Sequence, residues 1–262
     1  MTLPLLARAG DRLTAFIVYI GELAVLWGQI MFLLFTTPLH GYRFLIQARR
    51  VGLGSFFISS LVAFFIGIII ALQMAYLMMQ MSAEIYIPKV IAVSMARELA
   101  PVLTALIVAG RIGAGITAEI GSMVASEQVD ALKAFAVDPL KYLAVPRFLS
   151  LVLMLPLLAF FATVIGIVGG FVICYFKLSL DGYLYWQMVC DALVPKDILT
   201  GLIKTLFFAM IIALVGCREG LKVRGGADGV GRATTVAVVR SFVLIIASDC
   251  FFTFIFYFVF NI

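Results

Sequence analysis

Residues 145–176 read VPRFLSLVLMLPLLAFFATVIGIVGGFVICYF, and after Arg147 none of them is charged. About twenty apolar residues let a helix cross roughly 30 Å of hydrocarbon, so this stretch is long enough to span a bilayer with turns to spare. A soluble domain has no core deep enough to bury it. Segments 56–73 and 242–260 have the same character, with at most one charge each. The whole chain follows suit: its 262 residues are 64% hydrophobic and 13% charged, with mean hydropathy +1.17, against about 25% charged residues in soluble domains. Lipid is the solvent of this protein. So little polar sequence lies between the apolar runs that residues 1–262 read as a single membrane domain.

Working outward, spans are expected at 53–79, 88–115, 145–176, 199–217 and 237–260. The first apolar run, 13–36, contains Gly21, Glu22, Gly28 and Gln29 and lies between Arg8/Arg12 and Arg43/Arg49/Arg50. Basic residues on both sides suit a helix lying in the inner interface within an N-terminal region 1–50. The run is too long for a signal-peptide core and lacks a small-x-small cleavage site. Segment 119–138 has too many charges for lipid yet keeps helical apolar spacing in Val124, Val129, Leu132 and Phe135, and Asp138-Pro139 would end it. It reads as a short helix outside the bilayer. The fold class is therefore an all-α integral membrane protein, with an N-terminal interfacial helix, about five transmembrane helices and a cytoplasmic helix.

Charge sets the orientation. Of the 19 Lys and Arg, thirteen fall in the segments this arrangement places inside and only Lys89, Lys177 and Lys196 outside. That bias puts Met1 in the cytoplasm and Ile262 on the outer side. The net charge of +5 is spread over short loops and does not form a nucleic-acid-binding patch. Cys174, Cys190, Cys217 and Cys250 fit no metal-ligand spacing and read as small apolar side chains. His40 is the only histidine, so neither an HExxH zinc site nor a Ser–His dyad within the bilayer is available. Gly229-Val-Gly231-Arg-Ala-Thr234 lacks the lysine and spacing of a phosphate-binding loop. No catalysis is expected of this chain.

Four of the charges inside the spans fall in one layer near the outer side. At 1.5 Å per residue, Arg97 and Glu98 fall about 15 Å below the outer surface, Lys204 about 8 Å and Asp249 about 16 Å. The long lysine stem brings all four into one layer. Charges at that depth cost at least about 2.5–3.5 kcal/mol each unless paired or wetted, so they are expected to face an interior cavity. Lys204–Glu98 and Arg97–Asp249 are pairings the depths allow; the sequence leaves the choice open. Facing the layer, Ile70, Met74, Leu77, Met78 and Met81 recur at helical spacing as one flexible apolar stripe, which serves packing or an acyl-chain pocket. Ala109, Gly110, Gly113, Ala114, Gly115, Ala118 and Gly121 form a small-residue face that suits close packing, within the chain or between copies.

The order Met95-Ala-Arg97-Glu98-Leu-Ala-Pro101, then Ala109-Gly-Arg111-Ile-Gly113-Ala-Gly115-Ile-Thr-Ala118-Glu119-Ile-Gly121, then Asp138-Pro139 and Pro146-Arg147, resembles the MlaE (YrbE) family, as does Gly229-Val-Gly231-Arg-Ala-Thr234-Thr235. These are permease subunits of lipid-transporting ABC systems. The resemblance implies a homodimer in the bacterial inner membrane, with cytoplasmic ATPase subunits that bind the ATP, no cofactor in this chain, and a periplasmic MCE-type ring. The implied substrate is phospholipid moved between inner and outer membranes. An Mce-type importer of sterols or fatty acids, or an ion-coupled transporter without an ATPase, are the alternatives. The resemblance further implies that the Ile70–Met81 stripe and the Arg97-Glu98 step line a lipid pocket at the dimer interface, with Lys204 and Asp249 completing the charged layer. In this setting the 119–138 helix is expected to couple to the ATPase through Glu119, Glu127, Asp130, Lys133 and Phe135, since a short helix held between two spans transmits rigid-body motion.

Overall fold

Hydrocarbon offers no water to satisfy peptide groups, so an apolar chain closes its backbone hydrogen bonds within helices. The structure, a computed structural model, describes residues 3–36 and 41–258, with side chains from residue 14 onward. Met1, His40, Ile262 and the side chains of Arg8 and Arg12 lie outside that description. Among the described residues there is helix and no strand.

The long helices are α1 (Leu3–Thr36), α2 (Gly41–Met79) and α3 (Glu84–Ala125). After the short α4 (Gln128–Ala134) come α5 (Leu140–Phe176), α6 (Gly182–Ala192), α7 (Pro195–Leu221) and α8 (Gly226–Phe258). Among the described residues six helices are long and apolar enough to cross a membrane, counting 14–36 of α1. The spans run longer than composition suggests: α2 begins at Gly41 and α3 continues to Ala125. Charged turns extend these helices beyond the apolar core, because nothing in their sequence stops them.

α1 takes a different course from the others. Its Phe16–Tyr19 stretch borders Val239–Leu244 of α8, Glu22 reaches Arg218 and Lys222 at the end of α7, and Val25–Gln29 approach Leu140 at the start of α5. α1 thus borders the middle of α8, the end of α7 and the start of α5 in succession, and its residues 14–36 are also long and apolar enough to cross a membrane. Glu22 ties it there: Arg218 Nε donates to it at 2.7 Å and Lys222 Nζ at 2.6 Å. The Tyr19 ring packs beneath the guanidiniums of Arg218 and Arg240, 4.1 and 4.4 Å from its centroid.

Backbone contact between α2 and α5 organises the bundle. A Cβ on Gly67 would collide with the Gly166 carbonyl oxygen, and one on Gly169 with that of Phe64. The small-residue face of α3 packs on α7 within the chain: a Cβ at Gly216 would sit 3.2 Å from the Gly113 carbonyl oxygen, and one at Gly113 would sit 3.1 Å from Ile212 Cγ2. Gly110 and Gly115 are less crowded, a Cβ there meeting Phe242 at 3.9 Å and Arg50 Nη2 at 3.7 Å in ordinary contact.

Three π-helical turns interrupt the spans, at Met95–Leu99, Ala109–Gly113 and Leu140–Ala144. Two precede prolines. Pro101 has no N–H for the Arg97 carbonyl, and the turn before it widens so that the Ala100 N–H bonds to Met95, five residues back. Pro146 follows the third turn in the same way.

The 119–138 segment needs correcting. It is not one helix: α3 runs through Glu119 to Ala125, Glu127 takes a left-handed φ of 59°, and only Gln128–Ala134 forms the short helix. Glu119 leaves the group because it bonds Arg50 of α2 and Arg147 of α5, the latter at 3.1 Å. Asp130 and Lys133 pair with each other at 2.7 Å in the open, Val129 is buried, and Phe135 is 80% exposed.

At the opposite end α6 is capped by Asp181, whose carboxylate accepts from the Leu184 N–H at 3.3 Å. Tyr185 is buried and donates its O–H to the Ile167 carbonyl at 2.8 Å. Burial pushes its phenol up from the ordinary value, so it stays a neutral donor. All four cysteines are free thiols.

Candidate functional site

The residues between α3, α7 and α8 gather the intramembrane charges. Lys204 is only 1% exposed, and its ammonium is ringed by three oxygens: Glu98 Oε2 at 2.5 Å, Thr253 Oγ1 at 2.7 Å and Asp249 Oδ1 at 2.9 Å. Glu98 Oε1 also takes the Thr253 hydroxyl at 3.1 Å. Asp249 meets the ammonium as an ion pair off the hydrogen-bond axis, so its buried Oδ1 accepts no hydrogen bond. The expected Lys204–Glu98 pair is present.

The expected Arg97–Asp249 pair is not. Arg97 turns instead to Asp197, with Nε 2.6 Å and Nη2 2.5 Å from Oδ1. Asp197 is buried in the first turn of α7, where its Oδ2 also accepts from the Val194 N–H at 3.1 Å. A carboxylate at that position is favoured by the helix N-terminus and completes its hydrogen bonding. The signal for it was Pro195-Lys-Asp197, a proline opening a helix with an acid two residues on. Thr253 was also missed, although it stands one turn after Asp249. Adjacent helical residues point about 100° apart, so Arg97 and Glu98 serve different partners across the widened turn that carries both.

The layer thus holds two cations, Arg97 and Lys204, and three carboxylates, Glu98, Asp197 and Asp249. Arg97 and Glu98 are its accessible members, with side chains 36% and 38% exposed. They line a cavity of about 60 Å³ with Thr200, Lys204, Thr253, Phe256 and Tyr257. Ligand pockets measure roughly 300–1,000 Å³, so this cavity by itself has no room for a lipid.

The apolar stripe divides. Ile70, Met74 and Met78 are half-buried and pack on the core between α2 and α5. Leu77 points outward at 51% exposure, and Met81 lies past the end of α2, exposed in the following turn. The spacing i, i+4, i+8 holds one face, while i+7 lies to its side and the helix ends before i+11. The outward face of α2 is largely apolar, with Ile58, Leu61, Phe65, Ile69 and Leu72 all exposed.

No cluster of three or more His, Cys, Asp or Glu among the described residues is placed to hold a metal, and the 229–234 segment is helical and forms no loop around a phosphate. Interleaved spans, a charge layer buried in their midst and exposed apolar helix faces define a polytopic membrane permease. The chain belongs to the MlaE permease family, whose model, Permease MlaE, matches residues 44–255. It is 40% identical over 220 residues to a probable ABC transporter permease protein of Rickettsia prowazekii, covering 84% of this chain and 85% of the relative. It is 38% identical over 226 residues to a probable ABC transporter permease protein of Synechocystis, covering 86% of each. It is 35% identical over 204 residues to the intermembrane phospholipid transport system permease protein MlaE of Haemophilus influenzae, covering 78% of each. The chain is accordingly the non-catalytic permease subunit of an ABC transporter, which sets aside the ion-coupled transporter without an ATPase.

Proposed function

We propose that this permease moves phospholipid between the inner and outer membranes, as a homodimer driven by cytoplasmic ATPase subunits and joined to a periplasmic MCE-type ring. The observation that carries the reading is a charge layer set among the spans, of which Arg97 and Glu98 stay accessible. Arg97 and Glu98 present a cation and an anion to a wet cavity, and Leu77, Met78 and Met81 supply apolar surface close to the outer end of α2. A cavity too small for a lipid in one chain calls for a second copy to complete it, and the name of the Haemophilus relative supports the substrate class. ATP is bound by the partner subunits, and this chain needs no cofactor. Acyl tails lie against Ile70, Met74, Leu77, Met78 and Met81 of both copies, while Arg97, Glu98, Lys204 and Asp249 keep the upper cavity wet.

A charge at Leu77 separates this reading from plain packing. Leu77 is already exposed in the monomer, so Leu77→Glu leaves the fold intact, and lipid transfer by the reconstituted transporter is expected to fall at least about a hundredfold while copurification with the ATPase persists. Photocrosslinkers at positions 77 and 78 should capture lipid. Capture only from Ile246 on the outward face of α8, with full transfer by Leu77→Glu, rules the site out.

Orientation and coupling share one test. The basic end, with α1 and α4, is placed in the cytoplasm, and Glu127, Asp130, Lys133 and Phe135 form the surface offered to the ATPase. Phe135→Cys should react with a membrane-impermeant thiol reagent only from the cytoplasmic side, whereas native Cys190, exposed in α6, should react only from the other. The same variant removes a large exposed aromatic ring, and ATPase retention on purification should drop about tenfold. Labelling of both cysteines from one side contradicts the topology; undiminished ATPase retention contradicts the coupling role.

A further inference from the structure

A second group of charges lies at the basic end of α2 and α3, about 21 Å along α3 from Arg97. Arg50 and Gly54 stand one turn apart on α2, and Arg111 and Gly115 one turn apart on α3. The arginines cross over. A Cβ on Gly54 would lie 2.7 Å from Arg111 Nη1, and one on Gly115 would lie 3.7 Å from Arg50 Nη2. The Arg111 guanidinium fills space that α2 leaves by carrying glycine at 54, while Arg50 lies in ordinary contact with Gly115.

Their charges are not balanced. Arg111 is exposed, and Nη1 donates to Ser55 Oγ at 3.2 Å; no carboxylate among the described residues stands within ion-pair distance of it. Glu119 accepts from both Arg50 and Arg147, so one acid serves two cations. The corner thus carries three guanidiniums and one carboxylate. A guanidinium left without a counter-charge on a membrane helix is unfavourable unless an anion or water meets it. Its planar fork of N–H donors matches phosphate oxygens.

The surroundings choose the source of the phosphate. Ile58, Leu61, Phe65 and Ile69 follow Gly54 at helical spacing, and all are exposed. An apolar track therefore climbs from the guanidiniums into the membrane. We propose that Arg111 and Arg50 bind the phosphate of an anionic membrane lipid in the leaflet at the basic end, with an acyl chain laid along the Ile58–Ile69 face of α2. This site is separate from the charge layer at Lys204, and only the Leu77→Glu background of its test rests on the function proposed there.

The test uses the purified permease with its copurifying partners in the Leu77→Glu background, so that the outer site contributes no lipid. The protein is equilibrated with mixed micelles of phosphatidylglycerol, washed, and its retained lipid counted by native mass spectrometry. Arg111→Gln should lower phosphatidylglycerol retention about tenfold, the loss of one charge-assisted contact. Gly54→Leu keeps every charge but fills the space Arg111 occupies, and should lower retention similarly. Thermal unfolding and elution of each variant report whether the fold is kept, and Arg111→Lys should retain more lipid than Arg111→Gln. Retention by Arg111→Gln equal to that of the parent protein overturns the site. Binding of inorganic phosphate with no lipid retained assigns the guanidiniums to a free anion and overturns the lipid proposal.

Discussion

Lys204→Met is expected to destabilise the permease by about 3–5 kcal/mol, the usual result of removing one partner from a buried ion pair, and to abolish lipid transfer. The ammonium is 1% exposed and stands between two carboxylates and a hydroxyl. Without it, Glu98 and Asp249 face a shared space with no cation, and the remaining guanidinium, Arg97, is already held by Asp197. Methionine keeps most of the volume, so the loss reports charge and not a cavity. The companion experiment is the triple variant Lys204→Met, Glu98→Gln, Asp249→Asn, in which no charge is stranded. Most of the stability should return, because a buried ion pair is worth little against a neutral replacement, while lipid transfer stays absent if the charges serve transport. Denaturation of the purified protein in bicelles measures the first quantity and transfer between labelled vesicles the second. A single variant as stable as the parent would show that the three oxygens do not depend on the ammonium.

The second large effect is steric. Gly67→Val places a branched side chain where the Gly166 carbonyl oxygen stands, and backbone cannot swing aside as a side chain can. Overpacking usually costs about 1–3 kcal/mol; here the obstacle is peptide on both helices, and the upper end of that range is expected, about 3 kcal/mol. α2 and α5 must separate, and Ile70 and Met74 lose their seat on the core between them. Gly110→Ala is the control. Its new methyl meets only the Phe242 ring at 3.9 Å, and exchanging a mid-helix glycine for alanine should be neutral or stabilise by about 0.5–1 kcal/mol. Equal unfolding of the two variants would show that helix propensity, and not close approach, accounts for both glycines.

Arithmetic along the chain located much of the site. A rise of 1.5 Å per residue brought Glu98, Lys204 and Asp249 to one depth, and the structure joins them. Apolar run length yielded five of the six helices that, among the described residues, are long and apolar enough to cross a membrane; α1 is the sixth. Depth is a one-dimensional quantity, and composition determines it well because each residue type has a transfer energy into lipid that hardly depends on its neighbours.

Direction around each helix is another matter. The pairing of Arg97 with Asp197, the departure of Glu119 toward Arg50 and Arg147, and the separation of Leu77 from Met78 all turn on which face meets which neighbour. Counting at 3.6 residues per turn fails across a π-helical turn, whose extra residue rotates everything beyond it by roughly 100°, and α3 contains two, at Met95–Leu99 and Ala109–Gly113. Neighbours in turn are selected by glycine pairs such as Gly67 with Gly166 and Gly113 with Gly216, which act only when two distant segments are already side by side. From the sequence alone came the membrane class, most of the spans and the shared depth of Glu98, Lys204 and Asp249. Which charges pair, and which apolar face is left open, was decided only by the packing of the helices, because an ion pair a few ångströms long depends on azimuth as much as on height.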